Sequence, residues 1–559
     1  MYRLRIWNRH LAIIVGILVL SIGLFLNIAF YPYAINTETI NLPRDRIAHS
    51  QSYISNSQPQ KSPNSNSDRK LVGRLYIPPQ VKSPYPTIML WHGVSSTKEM
   101  VEPLAIELAR HGIAALSFDS GGFGESYSRN YSVEENLEDA RAVFAYVKKH
   151  PERFDPNRLG IGGHSMGAAT AIAFASDPID ASKVRVTLDL GMSADVNLTR
   201  PNNLFMGIGL YEEFHTPDAM REMLSQSTGV KAKEFKLYGN FSNGTARKLI
   251  ISGTSDHLME PFDPTLIGEA VQWSMQAFEL KETSVNPITL WVISGSFLTL
   301  IGMVMTIGYG IRDLTIVHTK PRLLALAIVA IAALILFLGM SEQISPRIAT
   351  SLVLVNAIIL PVTTYAIKRP HSLTPFFRLC GLYIGVVSIA YAIVLIVIRC
   401  MEIFNYPLYL LGVPQFILQL PIFLIYARVQ EFSAAMFPIY SNGLVPSWQI
   451  TLLFLPELVY PSIVISFGVR VSAWLIRWLR QPLKLKWIER PSPRSFQLLG
   501  ILIVVLVIVI IQQAQAGLVS IEYAIGTMQI LLQMMFLPAL VMILIIRSTQ
   551  FQRLERKLS

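Results

Sequence analysis

Cysteine is almost absent: Cys380 and Cys400 are the only two in 559 residues. On one helix they would stand about 30 Å apart at about 1.5 Å per residue, beyond the reach of an intramolecular disulfide. The first half of the chain has none, which excludes a cysteine nucleophile there and removes redox chemistry as a guide to compartment. Charge is also scarce. Charged residues make up 15% of the chain against 52% hydrophobic ones, and a mean hydropathy of +0.42 is too apolar for a soluble enzyme. At 559 residues the chain exceeds one ordinary domain, so part of it is expected to lie in a membrane. Acids are outnumbered by bases, 37 to 48, leaving a net charge of +11. In a soluble protein that balance would suggest nucleic acid. In a membrane protein Lys and Arg collect in cytoplasmic loops, so no nucleic-acid partner is expected.

The apolar residues are unevenly spread. Arg3, Arg5 and Arg9 precede an apolar run at 11–30, a span of bilayer length with a basic flank, so residues 1–46 read as an uncleaved anchor with a cytoplasmic N-terminus. Residues 47–69 are rich in Ser, Asn, Gln and Pro and read as a flexible linker, with room for one short strand around Tyr53. Beyond residue 284 apolar runs dominate, near 286–311, 323–340, 348–367, 379–398, 407–427, 447–469, 497–516 and 524–546. Residues 284–559 therefore read as an all-α multi-span transmembrane domain. If every run crossed, the basic cluster from Arg477 to Arg494 would lie outside, against the positive-inside rule. The run 407–427 holds Pro407, Pro414 and Pro421 with Gln415 and Gln419, so it is expected to re-enter, which puts both termini in the cytoplasm. Glu457, between Pro456 and Pro461 in another run, suggests a polar pathway or a packing partner such as Arg399.

Between these parts, residues 70–283 alternate strand and helix patterns: KLVGRLYIP, PTIMLWHG, a helix near 100–111, AALSFD, a helix near 133–150, RVTLDLGM, LFMGIGL, KLIISG and a helix over 264–280. Such alternation implies an α/β fold, a mostly parallel sheet with helices on both faces. In its middle stands RLGIGGHSMGAATAIAFAS, where Gly163, His164, Ser165, Met166 and Gly167 make a G-x-S-x-G sequence between a short strand and a small-residue helix. The spacing places Ser165 on a sharp strand-to-helix turn, where glycines on either side avoid a collision. The Met166 N–H would then point at the reacting centre from the helix N-terminus, as an oxyanion donor. No Asp stands at the elbow, which argues against nucleophilic-aspartate chemistry.

The elbow, the strand PTIMLWHGVSS ending in His92-Gly93, and the loop SFDSGGFGES together resemble the α/β-hydrolase superfamily, its serine esterases and lipases in particular. The resemblance implies that the N–H of Val94 completes the oxyanion hole, that Asp119 shapes its loop, and that the triad runs in the order Ser, acid, His. Only His215 and His257 lie between Ser165 and the apolar half. His257, in SDHLMEPFDP after KLIISG, matches the loop that carries the family's catalytic histidine. The competing reading makes Asp256 the acid of a G-x-x-D loop and His257 its neighbour. In LFMGIGLYEEFHTP, counting from Gly209 selects Glu212 as the acid and counting back from Pro217 selects Glu213, with Asp189, Asp195 and Asp256 left as further choices. His164 and His215 read as loop structure.

The expectation is a membrane-anchored serine hydrolase, without cofactor or metal, cleaving an ester or related acyl bond at the outer face of the cell membrane, with lipid among its candidate substrates. A transporter or sensor with an exported hydrolase-like domain, a degenerate binding module, and a serine peptidase or acyltransferase remain alternatives, because such parts serve many chemistries.

Overall fold

A computed structural model describes residues 2–30, 34–44, 69–288 (apart from 80, 95, 128, 130, 131 and 213), 374–405, 407–417 and 548–558, with a few single positions near 295 and 541. Eight strands form one sheet: β1 (Asn36–Pro43), β2 (Lys70–Ile77), β3 (Tyr85–Trp91), β4 (Ala114–Phe118), β5 (Phe154–His164), β6 (Val186–Leu190), β7 (Leu204–Gly209) and β8 (Arg247–Ser252), in the order β1-β2-β4-β3-β5-β6-β7-β8. β2 is antiparallel to both neighbours, and every other pairing is parallel. β1 begins the sheet 34 residues ahead of Lys70, the expected start, and pairs with β2 along its whole length, Asn36 opposite Ile77 and Pro43 opposite Lys70. Residues 36–43 therefore belong with the sheet rather than with the anchor. They are hard to read as a strand because, at the sheet edge, Ile40 alone is buried.

The continuous apolar runs of the central strands follow from covering on both faces. In β3, Ile88 and Leu90 pack with the helices α2 (Glu102–Arg110) and α6 (Pro264–Ala277), while Met89 and Trp91 pack on the other side with α3 (Val133–Lys149) and α4 (Met166–Ser176). The helix starts are marked chemically. Ser132 accepts from the Glu135 amide, Asp263 accepts from the Thr265 and Leu266 amides, and Thr216 caps α5 (Pro217–Thr228), a helix not foreseen from the apolar pattern, by accepting from the Ala219 amide. Pro217 and Pro264 stand at the first helical positions, where no N–H is needed.

Helix α1 (Tyr2–Phe30) runs along the expected anchor, and α7 (Thr374–Ile398) along the span expected at 379–398. Among the described residues no helix is long and apolar enough to cross a membrane. The other expected spans, Glu457 and the linker lie wholly or mostly outside the described residues. The helix ends before Cys400, an exposed free cysteine that opens a separate short helix, α8 (Cys400–Asn405). Of the run 407–427, Pro407–Gly412 is a 3-10 turn, and residues 418–427 lie outside the described part. Tyr391, Leu395, Ile403, Tyr409 and Phe416 join one apolar cluster with Ile208, Leu210, Tyr211 and Met223, so this segment packs against the C-terminal edge of the sheet.

Candidate active site

Ser165 sits between β5 and α4 with φ 54° and ψ −119°, a backbone conformation that L-residues rarely hold. The flanking glycines make it possible. A Cβ on Gly163 would lie 2.5 Å from the Trp91 carbonyl oxygen, and one on Gly167 would lie 2.2 Å from the same atom. The helix thus crosses the end of β3 at backbone distance, and the Ser165 amide donates to the Leu190 carbonyl at 2.9 Å.

The serine faces an imidazole. His257 Nε2 lies 3.0 Å from Ser165 Oγ, and His257 Nδ1 lies 2.6 Å from Glu212 Oε2. A carboxylate is acceptor-only, so Nδ1 carries the ring proton and Nε2 is free to accept from the serine hydroxyl. The acid is oriented at its other end, where Glu212 Oε1 accepts from the amides of Phe214 at 2.6 Å and His215 at 2.9 Å. Burial opposes ionisation of Glu212, but the charge and hydrogen bond of His257, the His215 amide and a hydrogen bond to Glu260 outweigh it, so the group stays below its ordinary range. Glu213, the competing acid, lies outside the described residues. Asp189 and Asp256 are buried, and burial pushes both up, Asp256 to about 6 and Asp189 well above the carboxylate range. Asp256 Oδ1 accepts from the Met259 amide, shaping the loop that carries His257.

His92 and His164 hold backbone, whereas His215 meets a side chain. His92 is fully buried; its Nε2 accepts from the Ser120 amide at 3.1 Å, so Nδ1 carries the proton and donates to the Gly93 carbonyl at 2.7 Å. Burial keeps its pKa low and the ring neutral, and the ring fixes the turn leading to Val94. Val94 is 41% exposed and follows Gly93, where an added Cβ would come 3.4 Å from the Ser165 Cβ, so both oxyanion candidates, Met166 and Val94, adjoin the serine. His164 Nε2 donates to the His257 carbonyl at 3.0 Å and its ring lies 4.6 Å from that of His257, tying the elbow to the histidine loop. His215 Nδ1 meets Ser193 Oγ at 2.9 Å. Asp119 is spoken for by Lys98 Nζ at 2.7 Å, the Lys98 amide and the Glu125 amide, and so closes its loop.

His164, His257 and Glu260 each offer one ligand atom within 4.8 Å of one another. Both His257 nitrogens and His164 Nε2 are already committed to hydrogen bonds with Ser165, Glu212 and the His257 carbonyl. The profile of the family described as Serine aminopeptidase, S33, matches residues 82–187, which carry the His92-Gly93 turn, the Asp119 loop and the elbow. The sheet and its helices are an α/β-hydrolase domain. An uncharacterized protein of Mycobacterium tuberculosis is 30% identical over 108 residues, 19% of this chain and 38% of that protein, so the chain spans about two fifths of the length of the curated relatives it matches. Similar solved structures include a serine hydrolase without lid from Xanthomonas campestris (16% identity, TM-score 0.31, 44% of this chain and 97% of that one). Another is an esterase of Pyrococcus furiosus (15% identity, TM-score 0.30, 43% and 92%).

Three residues near this site were not singled out from sequence for this role. Glu260 Oε1 accepts from the Gly209 amide at 2.7 Å, and its Oε2 lies 3.8 Å from His257 Nδ1. Arg399, from the segment after α7, donates to the Glu212 carbonyl oxygen, and on α5 Arg221 bridges Glu234 at 3.1 Å and Glu402 of α8 at 2.6 Å. No periodicity links residues that meet only across 181 positions. Because Arg221 and Glu402 share one bridge, Arg221→Ala and Glu402→Gln are expected to be non-additive. The double variant should be no less stable to heat than Arg221→Ala alone, a coupling of about 1–2 kcal/mol. Additive losses would mean that the two do not act together.

Proposed function

We propose that Ser165 is the nucleophile, His257 the general base and Glu212 the acid of a serine hydrolase that cleaves a carboxylic ester or related acyl bond. The observation that carries this reading is the unbroken line from Ser165 Oγ through the His257 ring to Glu212, on a backbone turn held in a strained conformation. His257 Nε2 takes the hydroxyl proton as Oγ attacks the acyl carbon. The oxyanion is held by the N–H groups of Met166 and Val94, each donor contributing about 10²–10³ in rate. The proton on Nε2 passes to the leaving oxygen, giving an acyl-serine and the free alcohol. Water then enters, His257 takes its proton as the water oxygen attacks the acyl carbon, and that proton passes to Ser165 Oγ as its bond to the acyl carbon breaks and the acid product leaves. Glu212 stays ionised, stabilises the imidazolium and is not itself a proton carrier.

The test is covalent. A fluorophosphonate probe should modify the full chain at Ser165, located by mass spectrometry of the labelled peptide, and modification elsewhere with Ser165 untouched would refute the assignment. Peptidase and acyltransferase chemistry would use the same set, and a panel of esters, amides and acyl acceptors separates them.

The domain is placed, in this reading, at the outer face of the cell membrane, held by the anchor at 11–30 and by the multi-span part at 284–559. What supports it is the run of apolar segments with basic flanks. Reporter domains fused after Ser559 and near Leu485 should remain cytoplasmic, and an exported reporter at either point would overturn the topology. A sensor reading has one observation in its favour: Arg399 reaches the carbonyl of the acid itself. If ester hydrolysis is unchanged when Glu402→Gln breaks the neighbouring bridge, that reading loses its support.

A further inference from the structure

We propose that Glu260 is a positioning residue for catalysis, held as the un-ionised acid and donating a hydrogen bond to the Glu212 carboxylate that faces His257. The inference rests on the reading of Glu212 as the triad acid. Glu260 follows His257 by three positions and is fully buried. Its Oε1 accepts from the Gly209 amide at 2.7 Å. Its Oε2 is buried and among the described residues has no donor directed at it, lying 3.3 Å from His164 Nε2, which donates to the His257 carbonyl, and 3.8 Å from His257 Nδ1. The Glu212 and Glu260 carboxyl groups act on each other directly. Two ionised carboxylates so placed repel, and a hydrogen bond between them requires a proton on one.

The proton belongs on Glu260. Glu212 has two backbone amides and His257 Nδ1 directed at it, three donors that favour the anion, whereas Glu260 has the one amide of Gly209. Burial, the Glu212 charge and Asp189 raise the Glu260 pKa well above the carboxylate range. The titratable groups facing it are Glu212 after β7, His164 at the end of β5, His257 after β8 and Asp189 in β6. The fold keeps space for this group. Gly191, at φ 70°, lies where an added Cβ would stand 1.9 Å from Glu260 Oε2. A neutral acid there satisfies a lone pair of Glu212 without competing for the imidazolium, as a second carboxylate would do if it ionised.

The experiment compares Glu260→Gln, which keeps a donor, with Glu260→Leu, which removes it, in the purified full chain hydrolysing p-nitrophenyl butyrate from neutral to alkaline pH. Rates are normalised to the fraction of sites titrated by fluorophosphonate. Glu260→Leu is expected to lower kcat about 10- to 100-fold with KM within about twofold, and Glu260→Gln to stay within about threefold of wild type. Wild type should lose kcat as Glu260 ionises at alkaline pH, and the Gln variant should lack that decline. Full activity in the Leu variant, or a Gln variant as impaired as Leu, overturns the inference. If Glu260→Leu does not fold, Glu260→Gln decides alone: an alkaline profile matching wild type overturns the proposal, and its loss supports it. A failure here beside an inactive Glu212→Gln leaves the triad standing, whereas an active Ser165→Ala would remove the triad and this proposal together.

Discussion

Ser165→Ala in the full chain is expected to abolish fluorophosphonate labelling and to lower kcat for ester hydrolysis by about 10⁵–10⁶, or about 7–8 kcal/mol of transition-state stabilisation. The magnitude follows from what the hydroxyl does. It forms the covalent bond, and without it only the oxyanion donors and substrate binding remain, which together retain about 10³–10⁴ over the reaction in water. The change should hardly touch the fold. Alanine keeps the Cβ, so the unfavourable φ of 54° persists, and the lost hydroxyl contact to His257 is worth about 1 kcal/mol. His257→Ala should match the kinetic loss yet destabilise the protein as well, because it leaves the Glu212 carboxylate buried without the ring it faces. Equal kcat losses with unequal melting temperatures are the expected signature. A Ser165→Ala chain that kept more than about one hundredth of the rate would assign the activity to another group.

Which parts of this arrangement could be read from the chain depends on how local their causes are. The elbow was legible because its cause is local: two glycines and a serine at fixed spacing, between a buried strand and a small-residue helix, permit one sharp turn. Helix α5 went unread although Thr216 and Pro217 announce its start, because its face toward the sheet is built from Met220, Met223 and Leu224 among polar neighbours rather than from a strong apolar run. Strand β1 shows no alternation since an edge strand buries one residue, and its partner β2 begins 27 positions after Pro43. Glu260 reads in sequence as one acid in a loop. Its meaning comes from two other segments, the one that ends in His164 and the one that carries both Gly209 and Glu212, that the sheet brings to one end. The choice between Glu212 and Glu213 is of the same kind. Counting from either end of the loop gives different answers, whereas in space Glu212 has one oxygen on the His257 ring and the other on two amides.

Glu212→Gln tests that geometry at its sharpest point, and it is expected to lower kcat by about 10³–10⁴ while leaving KM and melting temperature nearly unchanged. The position of Oε1 receives two backbone N–H groups, from Phe214 and His215, so the oxygen of a glutamine amide must occupy it. The amide nitrogen is then left at the position of Oε2, facing His257 Nδ1. An NH₂ group is a donor, so Nδ1 must become the acceptor, and the single ring proton of the neutral imidazole moves to Nε2. That nitrogen lies 3.0 Å from the Ser165 hydroxyl and, carrying a proton, can no longer accept another. The base is present, correctly placed and in the wrong tautomer. Glu212→Asp should do less harm kinetically if the shorter acid still reaches the ring, but it withdraws from the amides of Phe214 and His215 and is expected to cost stability instead. A Gln variant within about tenfold of wild type would mean that the ring proton is set by some other group, and the place of Glu212 in the catalytic set would be lost.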